Sequence, residues 1–429
     1  MLSRTTLLVY AAVALLAQIP ALPASSPQSR SEGEFPPGYG PADKIVLPAP
    51  FATPHVRNSS KVIGWPAGRT PTAPAGFRVN AFAEGLKNPR SFCVLPNGDV
   101  LVAESMEPNE RNQFDTVSRI ALLRDADKDG VAEIRETLLA NLNLPFGLVF
   151  INKSLYVGNT DSVVAFPYEP GQTKITAPGK KIMDLPPGGA HWTRNLIANA
   201  DQSKIFIAVG SSSNANENGL ADKEPLRAAI LEINPDGSGL RVFAGGLRNP
   251  VGMDWEPATR TLWTVVNERN TLGDDLVPDY LTSVRAGAFY GWPYAYFGAN
   301  EDPTLKGRRP DLVAKSVAPD YALGGHTASL GLAFYKNTSF PEQYRGGAFI
   351  GQHGSNQRSK FAGFRVAFLP FRNGKPSGKL QDFLTGFVAS DQTSEVYGRP
   401  VSLAVLADGS LLVADDRGNT VWRVSYTGK

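Results

Sequence analysis

Cysteine is almost absent from this 429-residue sequence, and histidine and methionine are scarce. Cys93 is the single cysteine, and the chain has four histidines and four methionines. A disulfide bond within the chain is therefore excluded. Without cross-links, stability has to come from a buried core, which a chain of this length is able to build.

Charge of one sign and long apolar runs are also missing. The net charge is +3, and acidic and basic residues are interspersed. The sequence therefore has neither the basic stripe of a nucleic-acid-binding protein nor a membrane-binding patch. Beyond the N-terminus, no segment approaches the roughly 20 apolar residues that span a bilayer. We therefore expect a small-molecule partner, with no nucleic acid and no membrane.

The N-terminus has the three regions of a secretory signal peptide. Arg4 supplies positive charge, residues 7–16 are apolar, and small residues follow over 22–26. We predict a signal peptide over residues 1–25 and a secreted, extracellular protein. Asn58, Asn152 and Asn337 begin Asn-x-Ser/Thr sequons, which are consistent with a glycoprotein if the source is a eukaryote.

Glycine and proline are abundant and punctuate an internal repeat. The chain has 42 glycines and 34 prolines between short β-branched and aromatic runs, as is typical of all-β proteins. Six segments share one plan, in which a Pro- or Gly-containing turn, an apolar strand, a polar turn and a second apolar strand follow one another. This repeat predicts an all-β fold, a six-bladed β-propeller. The segments begin at Asn88, Leu144, His191, Arg248, His326 and Gly398.

The repeat also indicates where the domain begins and how the ring closes. Residues 26–75 are rich in Pro, Ser and Gly and have little periodicity, which predicts an extension that wraps onto the domain. Residues 76–429 form the predicted propeller. Residues 76–83 form a strand with no hairpin partner before it, so we place it beside residues 420–425. As the outer strand of the last blade, it removes an exposed sheet edge.

A propeller brings equivalent positions of its repeats around one axis. At the start of each inner strand, five of the six residues are arginine or histidine. Such a cluster repels itself unless an anion with several oxygens lies within it, and arginine is suited to bidentate carboxylate binding. The alternative is that each arginine pairs with a local acid such as Glu104, Asp415 or Asp416. The six positions are Arg90, Phe146, His191, Arg248, His326 and Arg399.

The second strands end at the same face in short polar residues, whose oxygens are suitable ligands for a hard cation such as calcium. With these positions, several sequence blocks resemble the soluble pyrroloquinoline-quinone sugar dehydrogenases. Within that family, the sorbosone-dehydrogenase-like and fungal pyranose dehydrogenase branches are the most similar. The blocks are His191-x-x-Arg-Asn-Leu196, Arg248-Asn-Pro-Val-Gly252, Asn267-Glu-Arg-Asn270 with Gly273-Asp-Asp275, Tyr290-Gly-Trp-Pro-Tyr294, Gln352-His-Gly-Ser355 and Gly398-Arg-Pro400.

The resemblance implies a cofactor, a metal and a set of roles. His191 matches the general base, and Arg248 with Asn249 match the pair that polarises the quinone carbonyl. The backbone carbonyls of Arg269 and Asn270 match the loop that holds calcium. Three further residues match cofactor contacts, and three aromatic residues are predicted to contact the sugar. These sets are Arg90, His353 and Arg399 for the cofactor, and Trp192, Trp292 and Tyr294 for the sugar.

The implied function is oxidation of a sugar at its anomeric carbon to a lactone. Electrons then pass to an external acceptor such as a haem protein or a copper oxygenase. The glucose-oxidising branch has a lysine where this chain has His353, and Arg90 also departs from that branch, so the pyranose dehydrogenase branch is favoured. Two alternatives are a calcium-dependent propeller lactonase and a non-catalytic propeller that binds other proteins.

A second metal site is predicted outside this cluster. Residues 125–136 carry acids at positions 1, 3, 5, 9 and 12 of a calcium loop and a glycine at position 6, which satisfies the EF-hand loop pattern. The flanking segments have the pattern of strands, so we predict a structural calcium that pins a hairpin. The alternative is a solvated acidic turn. The predicted ligands are Asp125, Asp127, Asp129, Val131 and Glu136.

Overall fold

The fold was analysed in a computed structural model that describes residues 35–106 and 117–428. The regular secondary structure of this part of the chain is nearly all strand. Its helices are one α-helix, Pro310–Lys315, and two 3₁₀ helices, Ala221–Lys223 and Glu342–Tyr344. The predicted signal peptide lies outside the described residues.

Six antiparallel sheets account for most of the strands. Each follows the order of the chain, starting with a strand from one of the six predicted segments. Sheet 1 contains Pro89–Val94, Val100–Ser105, Ser118–Arg124 and Ile134–Leu139; sheet 2 contains Leu148–Ile151, Ser154–Gly158, Ser162–Pro167 and Lys180–Asp184; sheet 3 contains Arg194–Ala198, Ile205–Val209, Ala229–Ile233 and Arg241–Gly245.

Of the other three sheets, sheets 4 and 6 each also include a strand from the N-terminal part of the chain. Sheet 4 contains Pro250–Trp255, Leu262–Val266, Pro278–Ser283, Tyr321–Gly325 and Tyr39–Pro41; sheet 5 contains Ser329–Phe334, Ala348–Gln352, Arg365–Leu369 and Gln381–Leu384; sheet 6 contains Pro400–Val405, Leu411–Asp415, Thr420–Tyr426 and Phe77–Ala83. Short strands at Ala295–Tyr296, Asn300–Glu301, Phe371–Arg372, Lys375–Pro376, Val388–Ser390, Glu395–Val396 and Lys61–Val62 form small additional sheets.

Tight turns join the first strands of several sheets. Asn152 and Lys153 have φ of 44° and 63°, the left-handed values that a two-residue hairpin turn requires. Gly98 and Gly409 supply positive φ in the equivalent turns of sheets 1 and 6. These are the turns at which the sequence predicts hairpins.

Apolar clusters lie between consecutive sheets. The cluster of Leu101, Ile120 and Leu155 joins sheets 1 and 2, and that of Leu412 and Val100 joins sheet 6 to sheet 1. The first strand of each sheet contacts the first strand of the next, and the first strand of sheet 6 contacts that of sheet 1. Residues at the ends of the six first strands are therefore brought near one another.

The N-terminal segments join two of the sheets. Phe77–Ala83 pairs antiparallel with Thr420–Tyr426, with Arg78 opposite Ser425 and a register shift between Ala81 and Ala83, and this is the pairing that the sequence predicts. Residues 35–75 belong to the extension that is predicted to wrap onto the domain. They also add to one of its sheets, because Tyr39–Pro41 forms the fifth strand of sheet 4. No helix in the described ranges is long and apolar enough to cross a membrane.

Candidate active site

A cavity of about 410 Å³ lies where the sheets converge. Five of the six equivalent repeat positions line it, which are Arg90, His191, Arg248, His326 and Arg399. Each lies at or just before the first strand of its sheet. The cavity wall also includes Trp192, Asn249, Asn270 and His353.

The cavity is positively charged. Arg248 and Arg399 line it, their guanidinium groups without a directly bonded carboxylate among the described residues, and none of the described lining residues is an aspartate or glutamate. Arg90 also lines it, but its charge is balanced by Asp416, so for this arginine the alternative of pairing with a local acid is realised. Burial lowers the pKa of Arg248 and of Arg399 to about 10, so both remain charged at neutral pH. The cavity therefore has the electrostatics of a site for an anion.

Arg248 is fixed by backbone and amide oxygens. Its Nε donates to the Asn214 carbonyl at 3.0 Å, and its other nitrogens donate to Asn214 Oδ1 at 3.0 Å and to the Asn267 carbonyl at 3.0 Å. The side chain is buried, and these acceptors are uncharged. The guanidinium charge is thus held in place without being neutralised by a directly bonded carboxylate of the described residues.

His191 has the hydrogen bonding of an oriented base. Its Nδ1 lies 2.8 Å from the Ser211 carbonyl oxygen, which can only accept, so Nδ1 carries the proton. Nε2 is then left with its lone pair, and it has no hydrogen-bond partner among the described residues. Burial, followed by the nearby Arg248, lowers the pKa of His191 well below 6.5. The ring is therefore neutral and able to accept a proton at neutral pH.

Gly210 allows His191 and Asn249 to approach each other. A Cβ atom at Gly210 would lie 2.5 Å from His191 Cβ and would also collide with Asn249 Oδ1. Real side chains avoid such distances, so this position requires glycine for steric reasons. The Asn249 Oδ1 atom is itself buried and without a partner in the described structure.

A buried ion pair joins three sheets on the other side of the cavity. The Asp416 carboxylate contacts Arg90 Nη1 and lies 2.9 and 3.0 Å from His353 Nε2. Burial would raise the pKa of Asp416, but His353 and Arg90 lower it below its usual range. Burial and Arg399 lower the pKa of His353 to about 3. His353 is therefore a neutral donor to an ionised Asp416, with its Nδ1 lone pair free of hydrogen bonds to described residues.

The aromatic residues divide into two groups. Trp192 lines the cavity, and the Arg90 guanidinium carbon lies 5.3 Å from the centre of its ring. Trp292 and Tyr294 line a different, smaller depression and are only 5% and 1% exposed. Trp292 Nε1 donates to the Asn214 carbonyl, so it supports the loop that holds Arg248. The structure therefore does not bring these two predicted sugar contacts into the cavity.

The predicted calcium loop of the cavity is only partly at its surface. Asn270 lines the cavity, and its carbonyl accepts hydrogen bonds from Arg269 Nε at 3.1 Å and Asn214 Nδ2 at 3.4 Å. The Arg269 side chain is buried in an ion pair with Asp302. The Arg269 carbonyl accepts no hydrogen bond from the described residues, and Arg269 is not among the described residues that line the cavity.

Two residues of the site, Asn214 and Gly210, were not predicted from the sequence. Asn214 Oδ1 accepts from both Arg248 and the Asn270 amide, so one side chain connects the base region to the predicted calcium loop. Asn214 follows the polar run 211–213, which the repeat places at this face. That run is the only signal in the sequence that points to it.

Two buried acids near the predicted calcium loop at Arg269 and Asn270 make the unfolding free energy depend on pH. Burial raises the pKa of Glu268 to about 7 and that of Asp279 to about 6. A raised carboxyl pKa means that the folded state binds the proton more tightly. The stabilisation is therefore complete at low pH and is lost as pH rises through the folded-state value.

We expect the unfolding free energy of chelator-treated protein to fall between about pH 4.5 and pH 7, and Glu268→Gln to remove part of that fall. The Glu268 contribution is on the order of 3–4 kcal/mol, because each pKa unit corresponds to about 1.4 kcal/mol. Urea titrations across this pH range measure it. Glu256→Gln is the control, because hydrogen bonds outweigh burial and lower the pKa of Glu256. An unchanged pH slope in Glu268→Gln would contradict this assignment.

The acidic loop gathers four carboxylates. Those of Asp125, Asp127, Asp129 and Glu133 lie within 4.8 Å of one another. Backbone amides of the loop donate to several of them, for example Gly130 N to Asp125 Oδ2 at 2.9 Å. The flanking strands are those predicted, Ser118–Arg124 and Ile134–Leu139.

Two of the predicted ligands are not part of this carboxylate group. Glu136 is absent from it and is exposed, opposite Leu122 in the strand pair. A helix would turn position 12 back over the loop, whereas a strand carries it away by about 3.3 Å per residue. Val131 lies at position 7 of the loop, where an EF-hand uses a backbone carbonyl, and its amide donates to Asp129 Oδ1 at 2.8 Å. Glu133 takes the place of Glu136 in the group.

We expect Asp127→Ala to abolish a calcium-dependent gain in melting temperature without affecting the cavity. Four carboxylates repel one another unless a cation binds, so calcium should raise the melting temperature of the wild type by about 1 °C per kcal/mol of binding for a chain of this length. Thermal melts with calcium and with chelator measure this difference. Asp201→Ala is the matched control, since Asp201 makes a similar turn hydrogen bond to the Ser203 amide. Equal chelator responses in wild type and Asp127→Ala would show that the loop binds no stabilising calcium.

The sequence profile of one family spans most of the chain. The TrAA12-like family matches residues 71–278 and 306–427, which together make up more than half of the sequence. The chain belongs to the TrAA12-like family. The matched ranges contain nearly all of the cavity residues, and they include His191, Arg248 and Arg399.

Solved structures share the fold of this TrAA12-like chain. The calcium structure of Trichoderma reesei carbohydrate-active enzymes family AA12 has a TM-score of 0.71 at 19% identity, covering 86% of this chain and 99% of that one. The holo form of the pyranose dehydrogenase PQQ domain from Coprinopsis cinerea has a TM-score of 0.70 at 19% identity, covering 85% and 99%. The predicted β-propeller class and the family resemblance are therefore confirmed.

A sequence relative has a named activity. The aldose sugar dehydrogenase of Escherichia coli is 29% identical over 181 residues, which are 38% of this chain and 45% of that protein. The chain thus matches less than half of that relative's length.

Proposed function

We propose that this TrAA12-like protein is a secreted quinoprotein that oxidises pyranose sugars, or related keto-aldoses, at the anomeric carbon to lactones. The observation that carries the proposal is the juxtaposition in one cavity of three arginines and a neutral, oriented histidine. The arginines suit a polycarboxylate cofactor, and His191 suits removal of a hydroxyl proton. The names of the similar proteins support the same class of substrate and cofactor.

We further propose that the six sheets are six blades of one closed ring. The contacts between first strands run from sheet 1 to sheet 6 and back to sheet 1. Phe77–Ala83 supplies the outer strand of sheet 6. The cavity then lies on the axis of the ring, where each blade contributes the residue at the start of its first strand.

The cavity residues fit pyrroloquinoline quinone. Among the described residues, Arg90 Nε is a buried donor without a partner, and Asn249 Oδ1 and His326 Nδ1 are buried polar atoms that also lack one. His326 Nε2 faces the Gly273 carbonyl at 2.8 Å, so its Nδ1 is an acceptor. A ligand with carboxylates as well as N–H or O–H groups satisfies atoms of both kinds. Arg90, Arg248, Asn249, His353 and Arg399 would hold it.

Calcium would bind beside it once the Asn270 carbonyl releases the hydrogen bonds that it accepts from Arg269 Nε and Asn214 Nδ2. The Arg269 and Asn270 carbonyls are hard oxygen ligands of the kind that calcium prefers. Two carbonyls do not complete a coordination sphere of about six to eight oxygens, so water and cofactor oxygens would supply the rest. The acidic loop at Asp125 would hold a separate, structural calcium.

The chain supplies positioning and proton transfer. When bound, the quinone provides an acceptor for the hydride from the anomeric carbon. His191 Nε2 accepts the anomeric hydroxyl proton, and the Ser211 carbonyl keeps the ring in the tautomer with a free Nε2 lone pair. Arg248 places positive charge where negative charge develops. Loss of one proton and one hydride from the sugar yields the lactone.

The preferred sugar and the electron acceptor are proposed from the family branch. His353, in place of a lysine, favours the pyranose dehydrogenase branch over the glucose-oxidising one. An external protein such as a haem protein or a copper oxygenase would accept the electrons. Secretion and glycosylation are proposed from residues 1–25 and from the three sequons.

Two other functions are less well supported. A calcium-dependent lactonase would use acidic side chains as ligands on the axis, and no aspartate or glutamate lines the cavity within the described residues. A non-catalytic binding module would present an aromatic face. Of the predicted aromatic residues, however, Trp292 and Tyr294 are buried.

The decisive experiment is reconstitution of protein made without the cofactor. We expect dye-reducing sugar oxidation when quinone and calcium are both added, and not when either is added alone. Calorimetry should detect quinone binding in the presence of calcium, and an absorbance spectrum with and without sugar should show its reduction. Absence of quinone binding in the presence of calcium would reject the proposal, and hydrolysis of a lactone by the same sample would favour the lactonase.

A further inference from the structure

Trp65 lies in the N-terminal extension, outside the predicted catalytic domain, yet it contacts the residues beneath the cavity. Its indole Nε1 donates to Asp415 Oδ2 at 2.7 Å. Its ring packs among aromatic residues, with centroid distances of 5.4 Å to Phe387, 5.2 Å to Tyr397 and 5.1 Å to Trp422. Trp65 is thus held on several sides and donates one hydrogen bond in a defined direction.

Asp415 is a buried carboxylate with four hydrogen-bond donors. Its Oδ1 accepts from the amides of Arg399 and Gly418, each at 2.7 Å. Its Oδ2 accepts from Trp65 and, at 3.2 Å, from Trp422. Asp415 is 0% exposed and forms no ion pair with a described side chain. Removing the Trp65 donor would leave Oδ2 with only the longer hydrogen bond from Trp422 and would weaken the stabilisation of a buried carboxylate.

The Asp415 carboxylate also fixes the part of the cavity wall that contains Arg399. The Arg399 amide is bonded to Asp415, and its guanidinium donates to the carbonyls of His353 at 2.9 Å and Gly354 at 2.6 Å. Asp416, the next residue after Asp415, pairs with Arg90 and His353. Hydrogen bonds therefore fix both the backbone and the guanidinium of Arg399. The backbone bond is made to the Asp415 carboxylate, to which Trp65 also donates.

Other contacts keep the extension in place along the rim. The Asn58 amide donates to the Asn356 carbonyl at 3.1 Å, and Asn356 lines the cavity. Ile63 N donates to the Val396 carbonyl at 2.9 Å. Trp65 is therefore part of a segment that is anchored on both sides of it, since Thr72 N also donates to the Thr385 carbonyl at 2.9 Å.

We infer that Trp65 is a positioning residue for cofactor binding, which acts through Asp415 on the backbone of Arg399. The inference rests on the proposed function, in which Arg399 binds the cofactor carboxylate. The affinity of the cavity for an anion would then depend on Trp65, which is far from Arg399 in the sequence.

The test uses Trp65→Phe in the full chain, which removes the indole N–H and keeps an aromatic ring. We expect the quinone Kd in the presence of calcium to rise about tenfold, and exchange of the Arg399 amide hydrogen in the cofactor-free protein to become faster. Phe387→Leu is the matched control, because it loosens the same aromatic packing without removing a donor to Asp415. It should lower the melting temperature and leave the Kd and the Arg399 exchange unchanged.

The outcomes separate this inference from the proposed function. If wild-type protein bound no quinone, the proposed function would be rejected. The positioning of Arg399 by Trp65 would still be tested, because exchange of the Arg399 amide hydrogen is compared between cofactor-free wild-type and Trp65→Phe protein. Unchanged quinone Kd and unchanged Arg399 exchange in Trp65→Phe would overturn the inference. So would equal effects in Phe387→Leu. If Trp65→Phe does not fold, Asp415→Asn, which replaces one acceptor oxygen by an amide donor, is expected to show the same two changes.

Discussion

Replacing His191 with alanine is expected to lower turnover by about 100-fold to 10,000-fold, the usual contribution of a positioned general base. Quinone and calcium binding should be retained, because the Arg90, Arg248 and Arg399 side chains keep their own anchors. Single-turnover reduction of bound quinone by sugar, at saturating quinone, measures the loss directly. Near-normal turnover would transfer the role to another base, with His326 as the next candidate.

The pH profile gives a second check on the same residue. Only the neutral ring accepts a proton, so the rate rises with pH through the His191 pKa. Because burial and Arg248 lower that pKa well below 6.5, the rise should be complete in the acid range and the rate nearly flat from about pH 6.5 to about pH 8. His353→Ala is the matched control. It should raise the quinone Kd first and leave the shape of the pH profile intact.

Replacing Arg248 is expected to lower turnover by about 100-fold to 1,000-fold, as when one group that stabilises developing negative charge is removed. Arg248→Lys keeps the charge but lacks the planar fork whose separate nitrogens donate to Asn214 and Asn267. Its loss of turnover should therefore be smaller than that of Arg248→Ala, while its melting temperature should also fall. Steady-state and single-turnover kinetics at saturating quinone and calcium measure the effect.

Arg248 also supports the loop, so its effect has to be separated from unfolding. Truncation leaves the carbonyls of Asn214 and Asn267 without their donor, which costs stability as well as catalysis. Arg227→Lys is a useful control, because Arg227 makes a comparable set of bonds to the carbonyls of Pro186, Pro187 and Gly188 and does not line the cavity. If Arg227→Lys and Arg248→Lys lose turnover equally at equal stability, the role of Arg248 in charge stabilisation fails.

The central cluster of the site was predictable because it arises from repetition. Arg90, His191, Arg248 and Arg399 occupy equivalent positions in their segments, and a repeat that packs around an axis brings equivalent positions together. The Phe77–Ala83 strand was predictable for a related reason, since an apolar strand without a neighbouring hairpin must find a distant edge.

The partners of these residues were not predictable in the same way. His353 pairs with Asp416, 63 positions later, and Trp65 with Asp415, 350 positions later. No local pattern relates such positions, because their distance depends on how whole sheets pack. Trp292 and Tyr294 show that a recognisable local motif does not fix where its side chains lie. Their motif marks the family, but packing of their loop buries both rings away from the cavity.

The acidic loop shows where a motif stops being sufficient. The spacing of residues 125–136 specifies a turn with acids at fixed positions, and the turn forms as specified. Which carboxylates meet depends on the element that comes after the loop. The strand Ile134–Leu139 replaces the usual helix, so Glu133 and not Glu136 joins the group.

The sequence by itself determined the class of fold, the six strand-rich segments and the positive residues that line one cavity. Its local alternation of apolar and polar residues and its repeat period contain that information. Only the tertiary structure decided which nitrogen of His191 is free, which charges are paired, and that the extension reaches Asp415. These properties depend on hydrogen-bond geometry and burial between segments far apart in the chain, and local sequence does not encode such distances.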